Sequence, residues 1–393
     1  MSIVLSIFIL GFIIFIHEFG HFTFAKLFKV PVREFSIGMG PRIFSFVKNN
    51  TRYSLKALPF GGSCAMVGED AAGSGDFDDG IGVVNKENNT INYDGVIYDL
   101  DYIEKYNFSK TPPLKKMIIC VSGPLFNFLL ALILSFVMIV SFGYDEPRVV
   151  EVAENSAASE ATPFAIQTGD IITNLKTVGD NSKISFYRQI SLFMELNRDE
   201  FVENNAPILV TLDRESDDGT KKVSTVLYPK YDEETKRPLM GLSFNTARVK
   251  TKNFLDNFKY AFNEFYFYID MTIKSLKLLI RGKVGVNEIS GPVGTVAIMG
   301  DAIETTSKID IQSTIYTILM LVVLISSNLG FMNLLPIPAL DGGRIVFSLI
   351  EIIIGRPLNK KFEAIANGIT MSLLLLFMVY IFGMDIMKIF RGM

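Results

Sequence analysis

The sequence contains few of the residues that form disulfide frameworks or chains of imidazoles. Its two cysteines, Cys64 and Cys120, are far apart and lack the spacing of a metal or redox motif, so no disulfide framework is indicated. An excess of charge is also missing, since 38 Lys and Arg residues and 41 Asp and Glu residues give a net charge of −3. This balance does not favour a nucleic-acid-binding protein. The chain has two histidines, four residues apart, which excludes a relay of several imidazoles.

Apolar residues are abundant and make up 49% of the 393 positions. Four segments are long enough to cross a hydrocarbon core, which takes about 20 residues. They are Ile3–Phe24, Met117–Phe142, Ile315–Leu335 and Ile365–Met387. The first has no basic residue before it and no small-residue cleavage site after it, so we interpret it as a retained helix and not as a signal peptide. The sequence therefore predicts a polytopic α-helical membrane protein with four transmembrane helices.

The Lys and Arg residues near the ends of these segments predict the orientation of the chain. Twelve of them lie on one side, among them Lys26, Lys116 and Arg344, and four lie on the other. Because positive residues favour the cytoplasmic side, both termini and the long segment between the second and third spans are expected to be extracytoplasmic. The loop of residues 25–116 and the loop around Asp341 are then expected to face the cytoplasm.

The segment between the second and third spans predicts an inserted α/β domain. We divide the chain into residues 1–145, 146–247 and 248–393, of which the first and last form the membrane core. The middle region contains two β-rich stretches, Arg148–Val152 and Pro207–Leu212.

A turn and a helix lie between those two β-rich stretches. Thr168-Gly169-Asp170 forms a turn that leads into an apolar strand, and residues 186–194 show the apolar periodicity of one helix face. This order of elements resembles a circularly permuted PDZ domain of the bacterial protease type. The alternative is a spacer domain without affinity for peptides.

Three further segments do not have the composition of a span. Residues 69–104 hold ten carboxylates and one lysine, which predicts a flexible, solvated acidic insertion in the first cytoplasmic loop. Phe254–Leu279 is amphipathic and carries too many charges to span, so we expect it to lie at the external interface or against the spans. Gly291-Pro292-Val293-Gly294 is interpreted as a loop.

The two histidines belong to the pentapeptide His17-Glu18-Phe19-Gly20-His21, which fits the pattern H-E-x-x-H. On a helix, residues i and i+4 share a face, so both imidazoles can bind one zinc ion while Glu18 lies beside it. Zinc acidifies a bound water and polarises a scissile carbonyl, and the carboxylate accepts the proton of the water. Because ionisable residues inside a membrane helix are costly, this triplet predicts a functional metal site; the alternative is that the histidines are merely polar residues of the surface or the core.

A catalytic zinc site normally has a third protein ligand, and no third histidine exists. Asp341 is the best candidate, because two prolines break the helix ahead of it and because the orientation of the spans places it at the same depth as His17 and His21. Cys120 lies near the same depth in the second span and stays open as an alternative ligand.

Several motifs together resemble the site-2 protease family of intramembrane zinc metalloproteases, in particular the bacterial regulator-of-sigma-E protease type. The resemblance covers most of the chain. The matching segments are the H-E-F-G-H motif at 17–21, the β-loop at 53–62 continuing to Gly68-Glu69-Asp70, the S-G-P-L-F-N-F segment at 122–128, the S-G-P-V-G segment at 290–294 and the N-x-x-P-x-x-x-L-D-G-G motif at 333–343.

This resemblance implies a role for each matching residue. His17, His21 and Asp341 are the expected zinc ligands, and Glu18 is the expected catalytic base. Asn333 is expected to contact substrate or to support the oxyanion of the transition state. The membrane-associated β-loop, with Gly61 and Gly62, is expected to pair with an unwound stretch of substrate.

The resemblance also implies a zinc endopeptidase of the bacterial plasma membrane, in contact with membrane lipids. It would hydrolyse peptide bonds in or near the transmembrane segments of single-span substrates, such as anti-sigma factors or signal-peptide remnants. The PDZ-like domain would act as a size filter for substrates already trimmed by another protease. Other classes stay open, namely a metal transporter or sensor, a non-catalytic PDZ scaffold, and a different H-E-x-x-H protease with a Glu ligand. The oligomeric state is not predicted.

Overall fold

The computed structural model describes residues 1–69, 82–217, 219–245, 247–251, 253–283 and 290–391. The chain forms two compact units. The first unit consists of Met1–Leu134 and Ser275–Met393, and the second unit consists of Ser135–Lys274. Both ends of the chain therefore contribute to one unit.

The elements of the described residues are numbered in chain order. The helices are α1 (Ser2–Leu27), α2 (Leu100–Tyr106), α3 (Pro113–Phe142), α4 (Tyr187–Leu196), α5 (Arg198–Asn204), α6 (Phe254–Ile280), α7 (Pro292–Ser307), α8 (Ile311–Asn333), α9 (Asp341–Ile354) and α10 (Lys360–Arg391). The strands are β1 (Val32–Lys48), β2 (Thr51–Met66), β3 (Val83–Asn85), β4 (Thr90–Tyr93), β5 (Val96–Asp99), β6 (Val149–Val152), β7 (Ile171–Lys176), β8 (Asn181–Lys183), β9 (Ile208–Ser216), β10 (Gly219–Leu227), β11 (Lys230–Asp232), β12 (Arg237–Leu239) and β13 (Leu242–Phe244).

Four helices in the described part of the chain, α1, α3, α8 and α10, are long and apolar enough to cross a membrane. They coincide with the four predicted spans. In the first unit, α1, α7 and α8 pack around a core that includes Ile9, Met299 and Leu321. Large apolar side chains such as Leu373 and Leu376 are exposed on α10, as is expected for a surface that contacts lipid. The chain is thus a multi-pass membrane protein.

Strands β1 and β2 form a long antiparallel hairpin directly after α1. Asn49 and Asn50 at its turn both have positive φ, 49° and 53°, which suits a tight two-residue hairpin turn. Close to this turn, Ile43 and Phe44 expose their side chains. The hairpin contains residues 53–62, so the predicted β-loop has the strand structure that the sequence indicates.

The predicted acidic insertion, residues 69–104, contains strands and a helix. Residues 70–81 lie outside the described residues. After them, β3, β4 and β5 form a three-stranded antiparallel sheet that leads into α2. Val96 and Tyr98 from this sheet are buried against Val67. The expectation of a flexible excursion is therefore wrong from β3 onward, because a few apolar residues meet on one face and form a small core.

The expectation of a loop at Gly291–Gly294 is also wrong, because α7 begins at Pro292. Proline suits the first turn of a helix, because the backbone N–H groups of that turn have no acceptor within the helix and the N–H that proline lacks is not needed there. Asp385, a buried residue of α10, accepts hydrogen bonds from the backbone N–H groups of Gly291, at 3.2 Å, and Gly294, at 2.8 Å. The carboxylate that satisfies this helix start lies far away in sequence, where no local pattern could indicate it.

The second unit contains a four-stranded antiparallel sheet of order β10-β9-β7-β8, together with α4 and α5. Its core includes Ile190 and Phe193 from α4 and Leu212 from β9. The strands predicted at 148–152 and 207–212 correspond to β6 and β9. A second pairing joins β13 to β6, and a third joins β11 to β12.

Candidate metal centre

Asp341 occupies the first turn of α9, after an irregular segment that follows the end of α8. Pro336 and Pro338 lie in this segment and keep it from continuing as a helix. The segment folds back closely on α9, since a Cβ atom on Gly342 would lie 2.1 Å from the carbonyl oxygen of Leu335. The carboxylate of Asp341 is favoured there by the positive end of the α9 dipole.

Two glycines allow α1 and α3 to approach each other closely at the same level. A Cβ atom on Gly20 would lie 2.3 Å from the carbonyl oxygen of Ser122, and a Cβ atom on Gly123 would lie 2.3 Å from Nε2 of His21. Both distances are far below a normal van der Waals contact. The absence of a side chain at Gly123 therefore leaves the space in which the imidazole nitrogens meet.

Three nitrogen and oxygen atoms converge in this space. Nε2 of His17 lies 3.2 Å from Oδ2 of Asp341, and Nε2 of His21 lies 3.3 Å from the same oxygen. The two Nε2 atoms are 3.2 Å apart. Around a tetrahedral ion such separations correspond to ion–ligand distances of about 2.0 Å, which is the length of zinc–nitrogen and zinc–oxygen bonds. The chemistry and spacing of the three donors therefore fit a catalytic zinc site, which normally has three protein ligands.

The ring of His21 is oriented by a second contact. Its Nδ1 lies 2.8 Å from the backbone carbonyl oxygen of Ile119 in α3. A carbonyl oxygen only accepts hydrogen bonds, so Nδ1 carries a proton and donates it to this bond. In the neutral ring, Nε2 is then unprotonated, and its lone pair is directed at Oδ2 of Asp341 and Nε2 of His17.

The remaining predicted site residues lie around the same cavity, which has a volume of about 290 Å³. Glu18 lines it next to the two histidines, and Gly61 and Gly62 of β2 line it as well. Nδ2 of Asn333, at the end of α8, lies 3.2 Å from Nε2 of His17. A Cβ atom on Gly62 would lie 3.1 Å from Cγ of Glu18, so the hairpin is in direct contact with this carboxylate-bearing side chain.

The alternative third ligand, Cys120, lines the cavity but does not belong to the cluster of converging donor atoms among the described residues. Cys64 lines the same cavity. An ion pair between Glu69 and Arg344 closes part of the wall, and both side chains are almost fully buried, with 2% and 12% of their surface exposed. These last three residues were not predicted as part of the site, because nothing in their local sequence connects β2, the following turn and α9.

Sequence reasoning also missed two groups of α3 that contact the imidazoles, the carbonyl of Ile119 and the side chain of Asn127. A signal for Asn127 was available, since an amide inside an apolar span is costly to bury. The carbonyl of Ile119 has no such signal, because every residue carries one.

The described residues form a multi-pass membrane protein in which two histidines and one carboxylate converge and could hold a metal ion. Comparison with known proteins identifies the family. The chain belongs to peptidase family M50, whose family model matches residues 5–377. The predicted site-2 protease resemblance is therefore confirmed, and with it the activity class of a zinc metalloendopeptidase.

Several relatives match the chain along its length. A Fusobacterium nucleatum protein named as a zinc metalloprotease is 34% identical to it, with 100% of both chains covered. A Clostridium acetobutylicum protein with a similar name is 29% identical over 98% of this chain and 97% of its own. Zinc metalloprotease RasP of Oceanobacillus iheyensis is 28% identical over 99% of each chain.

Proposed function

We propose that this chain is an intramembrane endopeptidase in which His17, His21 and Asp341 hold zinc and Glu18 is the catalytic base. Its substrates are single-span membrane proteins, cut in or near their transmembrane segments. The observation that carries the proposal is the triangle of donor atoms, 3.2–3.3 Å on each side, in a cavity that Glu18 also lines. All four helices that are able to span a membrane contribute residues to this cavity.

When bound, zinc supplies the Lewis acidity that polarises the scissile carbonyl and acidifies the attacking water. Glu18 removes the proton from that water and delivers it to the nitrogen of the leaving amine. The amide N–H groups of Asn333 lie close to Nε2 of His17 and so can donate to the oxyanion that develops on the scissile carbonyl.

The substrate must present an extended stretch of backbone, because the carbonyl and N–H groups of a helix are bonded within the helix. Strand β2 pairs with β1 along one edge, and no other described strand pairs with it. Gly61 and Gly62 lie where this strand borders the cavity. An unwound substrate segment that adds to β2 would pass alongside Glu18 and the zinc ligands.

The second unit is proposed to be a PDZ-like domain that acts as an extracytoplasmic size filter. Its antiparallel sheet and α4 support a PDZ-like fold, and a cavity of about 350 Å³ lies between α4 and β13. The positive residues support the predicted orientation of the chain in the membrane. Lys116 and Arg344 lie at the same end of the spans as the proposed metal centre. We therefore propose a bacterial plasma membrane location with both termini outside and the site near the cytoplasmic face. Anti-sigma factors and signal-peptide remnants are suitable substrates.

The proposal is tested with purified protein in liposomes that contain a single-span model substrate. Glu18→Gln is expected to keep zinc and to lower the cleavage rate about 10²–10⁴-fold, because the glutamine amide cannot accept the proton of the water. Asp341→Ala is expected to lose zinc, and the exposed substitution Glu304→Gln is the control for both measurements. Cleavage at the normal rate by Glu18→Gln would refute the mechanism, as would full zinc content in Asp341→Ala. Zinc uptake by the liposomes without cleavage would instead support a transporter.

A further inference from the structure

Two side-chain amides face the two ring nitrogens of His17. Nδ2 of Asn127 lies 3.3 Å from Nδ1 of the ring, and Nδ2 of Asn333 lies 3.2 Å from Nε2. A neutral imidazole has one nitrogen that donates and one that accepts. Both amide nitrogens therefore cannot donate to the same ring at once, and one of the two amides must present its oxygen instead.

The surroundings of Asn127 show which amide that is. Asn127 is fully buried, and its Oδ1 has no hydrogen-bond partner among the described residues. A half-turn of the amide exchanges its oxygen and nitrogen, so the orientation is decided by the network around it. The half-turn brings Oδ1 to the position facing Nδ1 of His17. In this orientation Oδ1 gains a donor and the amide N–H groups take the place that has no partner among the described residues, so one polar group of the side chain is unsatisfied in either orientation. The ring decides between the two, because its Nε2 faces Oδ2 of Asp341 and Nε2 of His21 and is therefore the nitrogen that keeps the lone pair.

We propose that Asn127 is a positioning residue of the metal centre, whose Oδ1 accepts a hydrogen bond from Nδ1–H of His17. This bond holds the ring in the tautomer that leaves the lone pair of Nε2 free for a metal ion. The inference rests on the proposed function, because a metal ion bound at Nε2 requires that tautomer.

The arrangement repeats at the second histidine. Nδ1 of His21 donates to the carbonyl oxygen of Ile119, and in the proposed orientation Nδ1 of His17 donates to the amide of Asn127, which faces it at 3.3 Å. Both acceptors belong to α3 and lie about two helical turns apart, so they share one face of the helix. The helix α3 thus orients both imidazoles of α1.

The position of Asn127 is itself restrained by a neighbouring span. Oγ of Ser326 in α8 donates to the backbone carbonyl oxygen of Asn127, at 2.9 Å, and both residues are fully buried. This contact links α8 to α3 at the residue that contacts His17. This bond holds the backbone of Asn127 against α8 and so restrains the position from which its side chain reaches the ring.

The test compares Asn127→Asp with Asn127→Leu in the full chain. The aspartate keeps an acceptor and removes every donor, whereas leucine removes both at similar volume. Loss of a hydrogen-bonding partner of a metal-bound histidine typically weakens metal binding about 10–100-fold. We expect a loss of this size in Asn127→Leu and a zinc affinity within about threefold of wild type in Asn127→Asp. The affinity is measured by competition with a chromogenic chelator in detergent micelles, without substrate.

Asn197→Leu is the matched control, because Asn197 is a buried amide of the second unit that donates to the carbonyl oxygen of Phe193. The zinc affinity of the Asn197→Leu variant is expected to equal that of wild type. The thermal midpoint of each variant shows whether it is folded. If Asn127→Leu does not fold, Asn127→Asp alone decides, since a folded aspartate variant that has lost zinc would overturn the inference.

Two further outcomes separate this inference from the proposed function. Unchanged zinc affinity in a folded Asn127→Leu, with zinc loss in Asp341→Ala, would overturn the role of Asn127 and leave the metal centre intact. A wild-type protein that binds no zinc would overturn both.

Discussion

Gly123 of α3 and His21 of α1 are so close that a Cβ atom on the glycine would lie 2.3 Å from Nε2 of the histidine. The same atom would lie 2.9 Å from Cε1 of His17. The proposed metal centre therefore depends on a position without a side chain as well as on the side chains that would hold the ion. A helix surface without a Cβ atom lets the backbone of α3 serve as one wall of the donor cluster.

Gly123→Ala is expected to weaken zinc binding by about 10–100-fold, because the added methyl group displaces the ring of His21 from the other donors. Chelator competition on the purified protein measures the change. Gly11→Ala is the matched control in α1, where a Cβ atom would meet nothing within 4 Å. Normal zinc affinity in Gly123→Ala would show that the two helices are free to separate.

Asp385→Ala is expected to destabilise the first unit by about 1–3 kcal/mol, because the backbone N–H groups of Gly291 and Gly294 lose their acceptor. Asp385→Asn keeps one acceptor oxygen and is expected to show a smaller loss. Thermal unfolding in detergent measures both. Zinc affinity is expected to stay normal in the folded fraction, and a selective loss of zinc with normal stability would argue against a capping role.

Arg214→Met is expected to destabilise the second unit by about 3–5 kcal/mol, since it leaves the buried carboxylate of Asp170 without its partner. Nε and Nη2 of Arg214 donate to the two oxygens of Asp170, at 2.8 Å and 2.7 Å, and the carboxylate is 2% exposed. Limited proteolysis within residues 135–274 reports this loss. Glu304→Gln breaks an exposed pair with Lys308 and should leave the protease pattern unchanged, so equal patterns in both variants would contradict the prediction.

Acid is expected to weaken the β1–β2 hairpin through Glu34. Burial raises the pKa of Glu34, but hydrogen bonds from Arg42 and Ser54 and the charge of Lys56 outweigh it and hold the pKa at about 2, below its ordinary value of 4.5. Because the folded state favours the ionised form, this stabilisation is complete above pH 4.5 and is lost as the pH falls towards 2.

Glu34→Gln tests this pH dependence. The thermal midpoint of wild type should exceed that of the variant near neutral pH, and the difference should shrink as the pH falls below 4.5. Glu87→Gln, at an exposed position, serves as the control. A difference that does not change with pH would mean that the ion pair with Arg42 is not the source of the stabilisation.

The sequence was most informative where a local pattern carries a physical requirement. Long apolar runs identified the four spans, because a bilayer accepts only segments whose backbone groups are bonded internally. The i and i+4 spacing placed His17 and His21 on one helix face, and the two prolines ahead of Asp341 marked the break in which the third donor lies. Each of these inferences uses residues that are neighbours in the chain.

The errors arose where distant residues decide local structure. A helix begins at Gly291–Gly294 because Asp385 of α10, which is distant in sequence, accepts hydrogen bonds from its first backbone N–H groups. The acidic segment folded into a small sheet because Val96 found Val67 to pack against. Neither partner can be recognised from the local composition.

The sequence by itself determined which residues can bind a metal and which segments can enter a membrane, since both follow from side-chain chemistry and local periodicity. Only the tertiary structure decided that Asn127 and Ile119 orient the imidazoles and that Gly123 leaves room for them. The physical reason is distance, because hydrogen bonds and van der Waals contacts act over a few ångströms and depend on how α3 packs against α1.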